Sequence, residues 1–198
     1  MASSKARTAD VHRKTNETEV RVTLDLDGTG RADVATGIGF YDHLLTSMAH
    51  HGLFDLTVTT QGDLDVDDHH TVEDTAIVIG QAFAEALGDR AGIARFGDAT
   101  VPMDEAVATV AVDAGGRPYA VIDLPFAADR IGALSTQMIA HALEALARTA
   151  GFTVHLRAEG RNDHHVAEAT FKALARALRA AVAADPRRTG VASTKGPS

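Results

Sequence analysis

The chain of 198 residues contains no cysteine and no tryptophan, and aromatic residues make up only 5% of it. Without cysteine, neither a disulfide framework nor a thiolate metal site is possible, so any metal must be held by histidine and carboxylate side chains. No segment approaches about 18 consecutive apolar residues, and the N-terminal residues form no apolar signal segment, which predicts a cytoplasmic protein with no membrane partner. The net charge of -8 argues against the clustered basic face that a nucleic-acid partner requires.

A six-residue segment occurs twice: residues 68–73 read DHHTVE, and residues 163–168, each 95 positions later, read DHHVAE. On a helix, the first His and the Glu of each copy are four residues apart, so both lie on one face and can reach one ion. The second His is rotated by roughly 100° from the first, so each copy suits two different ions better than one. The repeated segment, called the cassette below, therefore predicts two metal ions.

Hydrophobic residues make up 45% of the chain, enough for the core of one domain or of two fused halves. Their spacing predicts the order strand, strand, helix, strand, helix in each half, with the first two strands paired as an antiparallel hairpin. These elements are expected at residues 20–26, 32–36, 39–52, 53–60 and 69–87, and again at 107–113, 118–122, 131–150, 152–158 and 164–184. We therefore expect two structural repeats, 7–92 and 93–185, followed by a flexible tail, 186–198.

Histidines at equivalent places in the first predicted helix of each half, His43 and His141, extend the set of candidate ligands. The set contains six histidines and two glutamates, which divide evenly into two sites: His43, His69, His70, Glu73, His141, His164, His165 and Glu168. Imidazole and carboxylate ligands suit Mn, Fe, Co, Ni or Zn. Four protein ligands on an octahedral ion leave positions for substrate or water, which favours a catalytic over a structural role.

Two other motifs have simpler interpretations. The acidic residues at 63–68 lack the glycine and the bidentate glutamate of an EF-hand, and they are interpreted as a solvated loop before a helix. Residues 25–29, DLDGT, match the nucleophile motif of haloacid-dehalogenase-type phosphatases, but the preceding residues alternate as in an exposed hairpin rather than a buried parallel strand. A dinuclear metallohydrolase and a metal-storing assembly protein remain as alternatives that use the same ligands.

From about Arg7 to Lys195 the chain resembles the imidazoleglycerol-phosphate dehydratase family. The resemblance rests on six segments: 13–18 (RKTNET), 39–43 (GFYDH), 50–56 (HHGLFDL), 68–74 (DHHTVED), 160–168 (GRNDHHVAE) and 193–196 (STKG). It implies an α+β fold of two duplicated two-layer α/β halves, similar to ribosomal protein S5 domain 2, with the helices packed between two four-stranded sheets. It also implies a homo-oligomer of 24 subunits with active sites between subunits. Some members carry an additional histidinol-phosphate phosphatase domain, which we do not expect here.

The same resemblance implies the reaction and the roles of the site residues. D-erythro-imidazoleglycerol phosphate would lose water to give imidazole acetol phosphate in L-histidine biosynthesis, with the substrate ring stabilised as an imidazolate by two Mn²⁺ ions per active site. One ion would be bound by His43, His70, His164 and Glu168, and the other by His69, Glu73, His141 and His165. Substrate would contact His43, His69, His70, Glu73, His164 and Glu168, together with Glu17, His51, Arg95, Arg117, Ser193, Thr194 and Lys195. Arginine and lysine suit the phosphate. Glu17 is the best candidate for the acid or base, and Glu73 or Glu168 could assist, so that assignment stays open.

Overall fold

The computed structural model describes residues 6–194, which form two four-stranded sheets, four long helices and a short two-stranded ribbon. The first half contains β1 (Thr8–Lys14), β2 (Thr18–Asp25), β3 (Ala32–Ala35), α1 (Gly39–Gly52), β4 (Asp55–Gly62) and α2 (His69–Leu87). The second half contains β5 (Phe96–Met103), β6 (Ala106–Asp113), β7 (Tyr119–Asp123), β8 (Arg130–Ile131), β9 (Leu134–Ser135), α3 (Thr136–Ala150), β10 (Thr153–Glu159) and α4 (Asp163–Val182).

The two halves have the same sheet topology. The strand order is β1-β2-β4-β3 in one sheet and β5-β6-β10-β7 in the other. In each sheet the last pair in this order is parallel: β4 with β3, and β10 with β7. The other pairs are antiparallel. The predicted duplicated α+β fold is therefore confirmed, while the boundary between residues 92 and 93 stays a prediction.

Both predicted hairpins are wrong. In the structure β4 lies between β2 and β3, and β10 lies between β6 and β7. Alternating polarity shows which side of a strand is buried, but it does not identify the neighbouring strand. Each of β2 and β6 has two antiparallel neighbours, β1 and β4 or β5 and β10. Of these, β1 and β5 were not predicted because they are edge strands in which only Ala9 and Gly97 are buried.

The helices agree more closely with the sequence. The bounds expected for α1 and α2 are confirmed, whereas α3 begins at Thr136 rather than at residue 131 because residues 130–135 form the β8–β9 ribbon. The tail is hydrogen-bonded to Gly92, the last residue of the predicted first repeat, whose amide lies 2.9 Å from the carbonyl oxygen of Gly190. No helix within residues 6–194 has the length and apolar character needed to cross a membrane.

The helices form the middle of the molecule. Helices α1 and α2 cover the first sheet, α3 and α4 cover the second, and the two layers meet through α1 on α4 and α2 on α3. Phe83 of α2 joins the halves, because its ring centroid lies 5.3 Å from that of Phe54 and 5.8 Å from that of Phe152. Helices α2 and α3 approach closely at Gly80, where a Cβ would overlap the side chain of Thr149. This packing sets the relative positions of all the cassette residues.

Candidate active site

The first cluster of candidate ligands lies where α1 meets α4 and contains His43, His164 and Glu168. The Nε2 atoms of His43 and His164 lie 3.1 Å and 2.9 Å from Oε1 of Glu168. Helix α4 begins where it does because the side chain of Asn162 caps it, accepting a hydrogen bond of 3.0 Å from the amide of His164. The cap fixes His164 on the first turn, one helical turn before Glu168, as the cassette spacing predicted.

Glu168 is buried and carries a negative charge. Burial raises the pKa of its carboxyl, but hydrogen bonds from Lys172, His43 and His164 outweigh that effect and lower the pKa to about 2. Lys172 holds the second carboxylate oxygen at 2.6 Å. The oxygen that faces the two imidazoles is therefore deprotonated and held in one orientation, which suits a metal ligand.

The second cluster lies where α2 meets α3 and contains His69, Glu73 and His141. The two oxygens of Glu73 lie 3.5 Å from Nε2 of His69 and 3.1 Å from Nε2 of His141. The Nε2 atom of His141 is buried, and despite this short distance it makes no hydrogen bond to any described residue. An imidazole nitrogen buried without a hydrogen bond and directed at a carboxylate and a second imidazole fits a metal ligand.

Both clusters fit a divalent ion. In each cluster the three candidate ligand atoms lie within 4.8 Å of one another, and ions that take nitrogen ligands at about 2.0–2.1 Å bring adjacent ligand atoms close together. Each cluster also joins the two halves of the chain. The first combines His43 of α1 with His164 and Glu168 of α4, and the second combines His69 and Glu73 of α2 with His141 of α3. The duplication therefore builds two related sites at the seam between its halves.

The remaining two predicted ligands, His70 and His165, lie outside these clusters. Nδ1 of His70 lies 3.0 Å from Asp63, and Nδ1 of His165 lies 2.8 Å from Glu105. These contacts raise the pKa of each imidazole, and the hydrogen bond from His165, together with backbone amides, lowers the pKa of Glu105 to about 2. Within the described chain, each predicted set of four ligands is therefore represented by three clustered residues and one that is directed elsewhere.

Glu17 lies beside one of these outlying histidines. Its Oε1 atom is 3.8 Å from Nε2 of His70. The turn that carries it is anchored to α2, because Asp74 accepts a hydrogen bond from Thr18 and forms an ion pair of 2.6 Å with Arg13. The structure thus brings the candidate acid or base next to the first cassette while leaving its side chain exposed.

His51 and the predicted phosphate-binding residues lie in two further places. His51 lies at the end of α1 near α4, and its pKa is lowered by burial and by the nearby charges of His50, Lys172 and Arg176. Arg95 forms two hydrogen bonds to Asp113, of 2.7 Å and 2.9 Å, and a third to the carbonyl oxygen of Ala192 in the tail.

Arg117 lies close enough to Asp113 to help lower the pKa of that carboxyl, after the larger effect of Arg95. The amide of Ser193 donates a 2.8 Å hydrogen bond to Val191, and Thr194 is exposed. Two arginines and the tail thus gather around Asp113, while Lys195 lies outside the described residues. Phosphate binding by these residues stays a prediction.

Three charged residues at these sites were not found from the sequence: Asp63, Glu105 and Lys172. Lys172 follows Glu168 by four residues, so the helical spacing alone would have indicated its contact. Glu105 directly precedes β6, as Glu17 directly precedes β2, 88 positions earlier. The cassettes repeat at a different interval, which hid this correspondence.

The family of known proteins described as imidazoleglycerol-phosphate dehydratase matches residues 36–178, which include both cassettes. The imidazoleglycerol-phosphate dehydratase of Gluconacetobacter diazotrophicus is 54% identical over 193 residues, covering 96% of this chain and 98% of that protein. That of Haloarcula marismortui is 55% identical over 190 residues, covering 96% and 97%. The crystal structure of the Staphylococcus aureus enzyme superposes with a TM-score of 0.81 at 34% identity, covering 90% of this chain and 99% of that one. The chain therefore belongs to the imidazoleglycerol-phosphate dehydratase family, hydro-lyases of histidine biosynthesis, as its sequence motifs had indicated.

Proposed function

We propose that the protein dehydrates D-erythro-imidazoleglycerol phosphate to imidazole acetol phosphate, with two Mn²⁺ ions in each active site. The observation that carries this proposal is the pair of clusters at the α1/α4 and α2/α3 seams, each with three converging imidazole or carboxylate ligand atoms. Imidazole and carboxylate oxygen together are compatible with manganese. When bound, the ions would act as Lewis acids that stabilise negative charge on the imidazole ring of the substrate.

The clusters also support an active site shared between subunits. Each cluster contains three of its four proposed ligands, and the fourth, His70 or His165, is held by a different carboxylate on the same chain. A neighbouring copy of the chain would supply that fourth imidazole. A symmetric homo-oligomer of 24 subunits, as the family resemblance implies, provides such contacts repeatedly.

The chain must also move a proton. In the free substrate neither the departing hydroxyl nor the adjacent C–H group is activated, so after the ring electrons expel the hydroxyl, a base must remove the proton to give an enol. Glu168 is a poor choice because Lys172 and two imidazoles already occupy its two oxygens. Glu17 is exposed and lies beside His70 on an anchored turn, and we assign it as the general acid or base.

Arg95 and Arg117 suit the phosphate group of the substrate. The planar guanidinium of Arg95 is held in place by Asp113 and by the carbonyl oxygen of Ala192, so its remaining N–H groups are oriented before any ligand arrives. Ser193 and Thr194 directly follow Ala192, the residue whose carbonyl oxygen Arg95 binds. Together with Lys195 they would close over the phosphate.

The test is turnover of imidazoleglycerol phosphate by protein treated with a chelator, before and after Mn²⁺ is restored. Imidazole acetol phosphate and free phosphate are followed together. Metal-dependent ketone without free phosphate supports the dehydratase, release of phosphate supports a metallohydrolase, and neither product supports an assembly protein. His70→Ala should lose activity, whereas His155→Ala, at an exposed histidine of β10, serves as the matched control and should keep it.

A further inference from the structure

A carboxylate holds the Nδ1 atom of both outlying cassette histidines. Asp63 Oδ2 lies 3.0 Å from Nδ1 of His70, and Glu105 Oε2 lies 2.8 Å from Nδ1 of His165. A carboxylate is an acceptor only, so in the neutral imidazole the proton resides on Nδ1. The Nε2 atom then has a free lone pair. Nε2 is also the atom that the four clustered histidines direct at their glutamates.

Glu105 is itself fixed by the backbone. Its Oε1 atom accepts hydrogen bonds of 2.8 Å from the amide of Asn162 and 3.2 Å from that of Arg161, just before α4. Its Oε2 atom is therefore aimed at His165 and cannot exchange places with Oε1 without breaking those two bonds. Asp63 differs, because its Oδ1 atom is buried without a hydrogen bond to any described residue.

The two halves have divided the same positions between different tasks. Glu17 and Glu105 both directly precede the second strand of their half. Glu105 holds Nδ1 of its cassette histidine, whereas Glu17 lies on the Nε2 side of His70, at 3.8 Å. In the first half the contact with Nδ1 belongs to Asp63 instead, which leaves Glu17 on the side where metal and substrate would bind.

We propose that Glu105 and Asp63 are positioning residues of the metal sites: each accepts the Nδ1–H of a cassette histidine and so presents its Nε2 atom to a metal ion held by a neighbouring subunit. This inference rests on the proposed function. Carboxylates that orient a ligating histidine typically contribute about 10–100-fold in metal affinity. Each residue is expected to affect one of the two ions, because His70 and His165 belong to different ligand sets.

The structure predicts that two amide substitutions weaken their metal sites to different degrees. In Glu105→Gln the amide oxygen stays with the two backbone N–H groups, so the NH₂ group faces His165 and donates to Nδ1. The proton of that imidazole moves to Nε2, which then no longer offers a lone pair to the ion. In Asp63→Asn the amide can turn its oxygen towards His70, because Oδ1 has no hydrogen bond to lose. Glu105→Gln should therefore weaken one Mn²⁺ site by about 10–100-fold, and Asp63→Asn should weaken the other by clearly less.

The experiment is a Mn²⁺ titration of the full-length, metal-stripped protein, in which the electron paramagnetic resonance signal of free Mn²⁺ gives the number and affinity of sites. His165→Ala defines the full loss of one site, and Asp98→Ala, an exposed carboxylate in the same β5–β6 hairpin, is the matched control. Gel filtration establishes that each variant assembles like the wild type. Loss of affinity at one site only is the expected result, since general structural damage would weaken both.

The outcomes that oppose the positioning role and the proposed function can be told apart. If His165→Ala loses a site while Glu105→Gln binds both ions with wild-type affinity, the positioning role is overturned. If the wild-type protein itself binds no Mn²⁺, the proposed function fails first. Should Glu105→Gln fail to assemble, Asp63→Ala decides the matter, because removing the acceptor of His70 must weaken the other site, and unchanged binding there refutes the inference.

Discussion

Mixing two inactive variants tests the shared site most directly. His43 and His70 are proposed ligands of the same ion, yet the structure places His43 against Glu168 on α4 and directs His70 towards Asp63 and Glu17. We expect His43→Ala and His70→Ala each to be inactive alone. Because the two ligands would come from different chains, co-assembly of the two variants should restore some intact sites.

The amount restored follows from the geometry. A site for this ion is intact only when the chain that supplies the cluster carries His43 and the neighbouring chain carries His70. With equal amounts of both variants and random assembly, each condition is met in half of the cases, so about a quarter of the sites should be intact in a symmetric oligomer. If both ligands came from one chain, every chain would lack one of them and no site would be restored.

The assay is turnover by the two variants expressed together and purified through different affinity tags, so that only mixed oligomers are measured. A mixture of His43→Ala with His164→Ala is the control, because these side chains belong to the same cluster and no assembly should restore activity. Activity near a quarter of the wild-type value supports the shared site. Activity at the level of the separate variants, in oligomers shown to contain both, would refute it.

Three further outcomes are expected. Phe83→Ala should lower the free energy of unfolding by about 3–5 kcal/mol because it removes the ring that packs on Phe54 and Phe152 and leaves a cavity between the halves. Urea unfolding measures this free energy. An equal loss for Phe96→Ala, at an exposed phenylalanine, would contradict the packing argument. Glu17→Gln should reduce turnover by about 10²–10⁴-fold with unchanged Mn²⁺ content, and a variant that lost metal would instead make Glu17 a ligand. Affinity for Mn²⁺ should fall as the pH falls, beginning above the ordinary imidazole pKa of 6.5. The reason is that the raised pKa values of His70 and His165 let protons compete with the ion. An affinity that stays constant across this pH range would rule out both imidazoles as ligands.

The sequence predicted most strongly what depends on local periodicity. The bounds of α1 and α2 and the faces of the cassette residues follow from spacing along one helix, and the structure confirms them. The pairing of strands depends on residues far apart in the chain, and the predicted hairpins were accordingly wrong. Likewise the contacts of Glu105 span 60 positions to His165, a separation that no local pattern reports.

By itself the sequence determined the family and predicted the chemistry of the site: the absence of cysteine left imidazole and carboxylate as candidate metal ligands, and the repeated cassette predicts two ions. Only the tertiary structure decided how those ligands are grouped. Packing α1 on α4 and α2 on α3 brings three of each proposed four together, while the rotation of adjacent helical residues directs His70 and His165 to other carboxylates. Grouping requires distances between separate elements, and these are fixed by the packing of the core rather than by the order of residues along the chain.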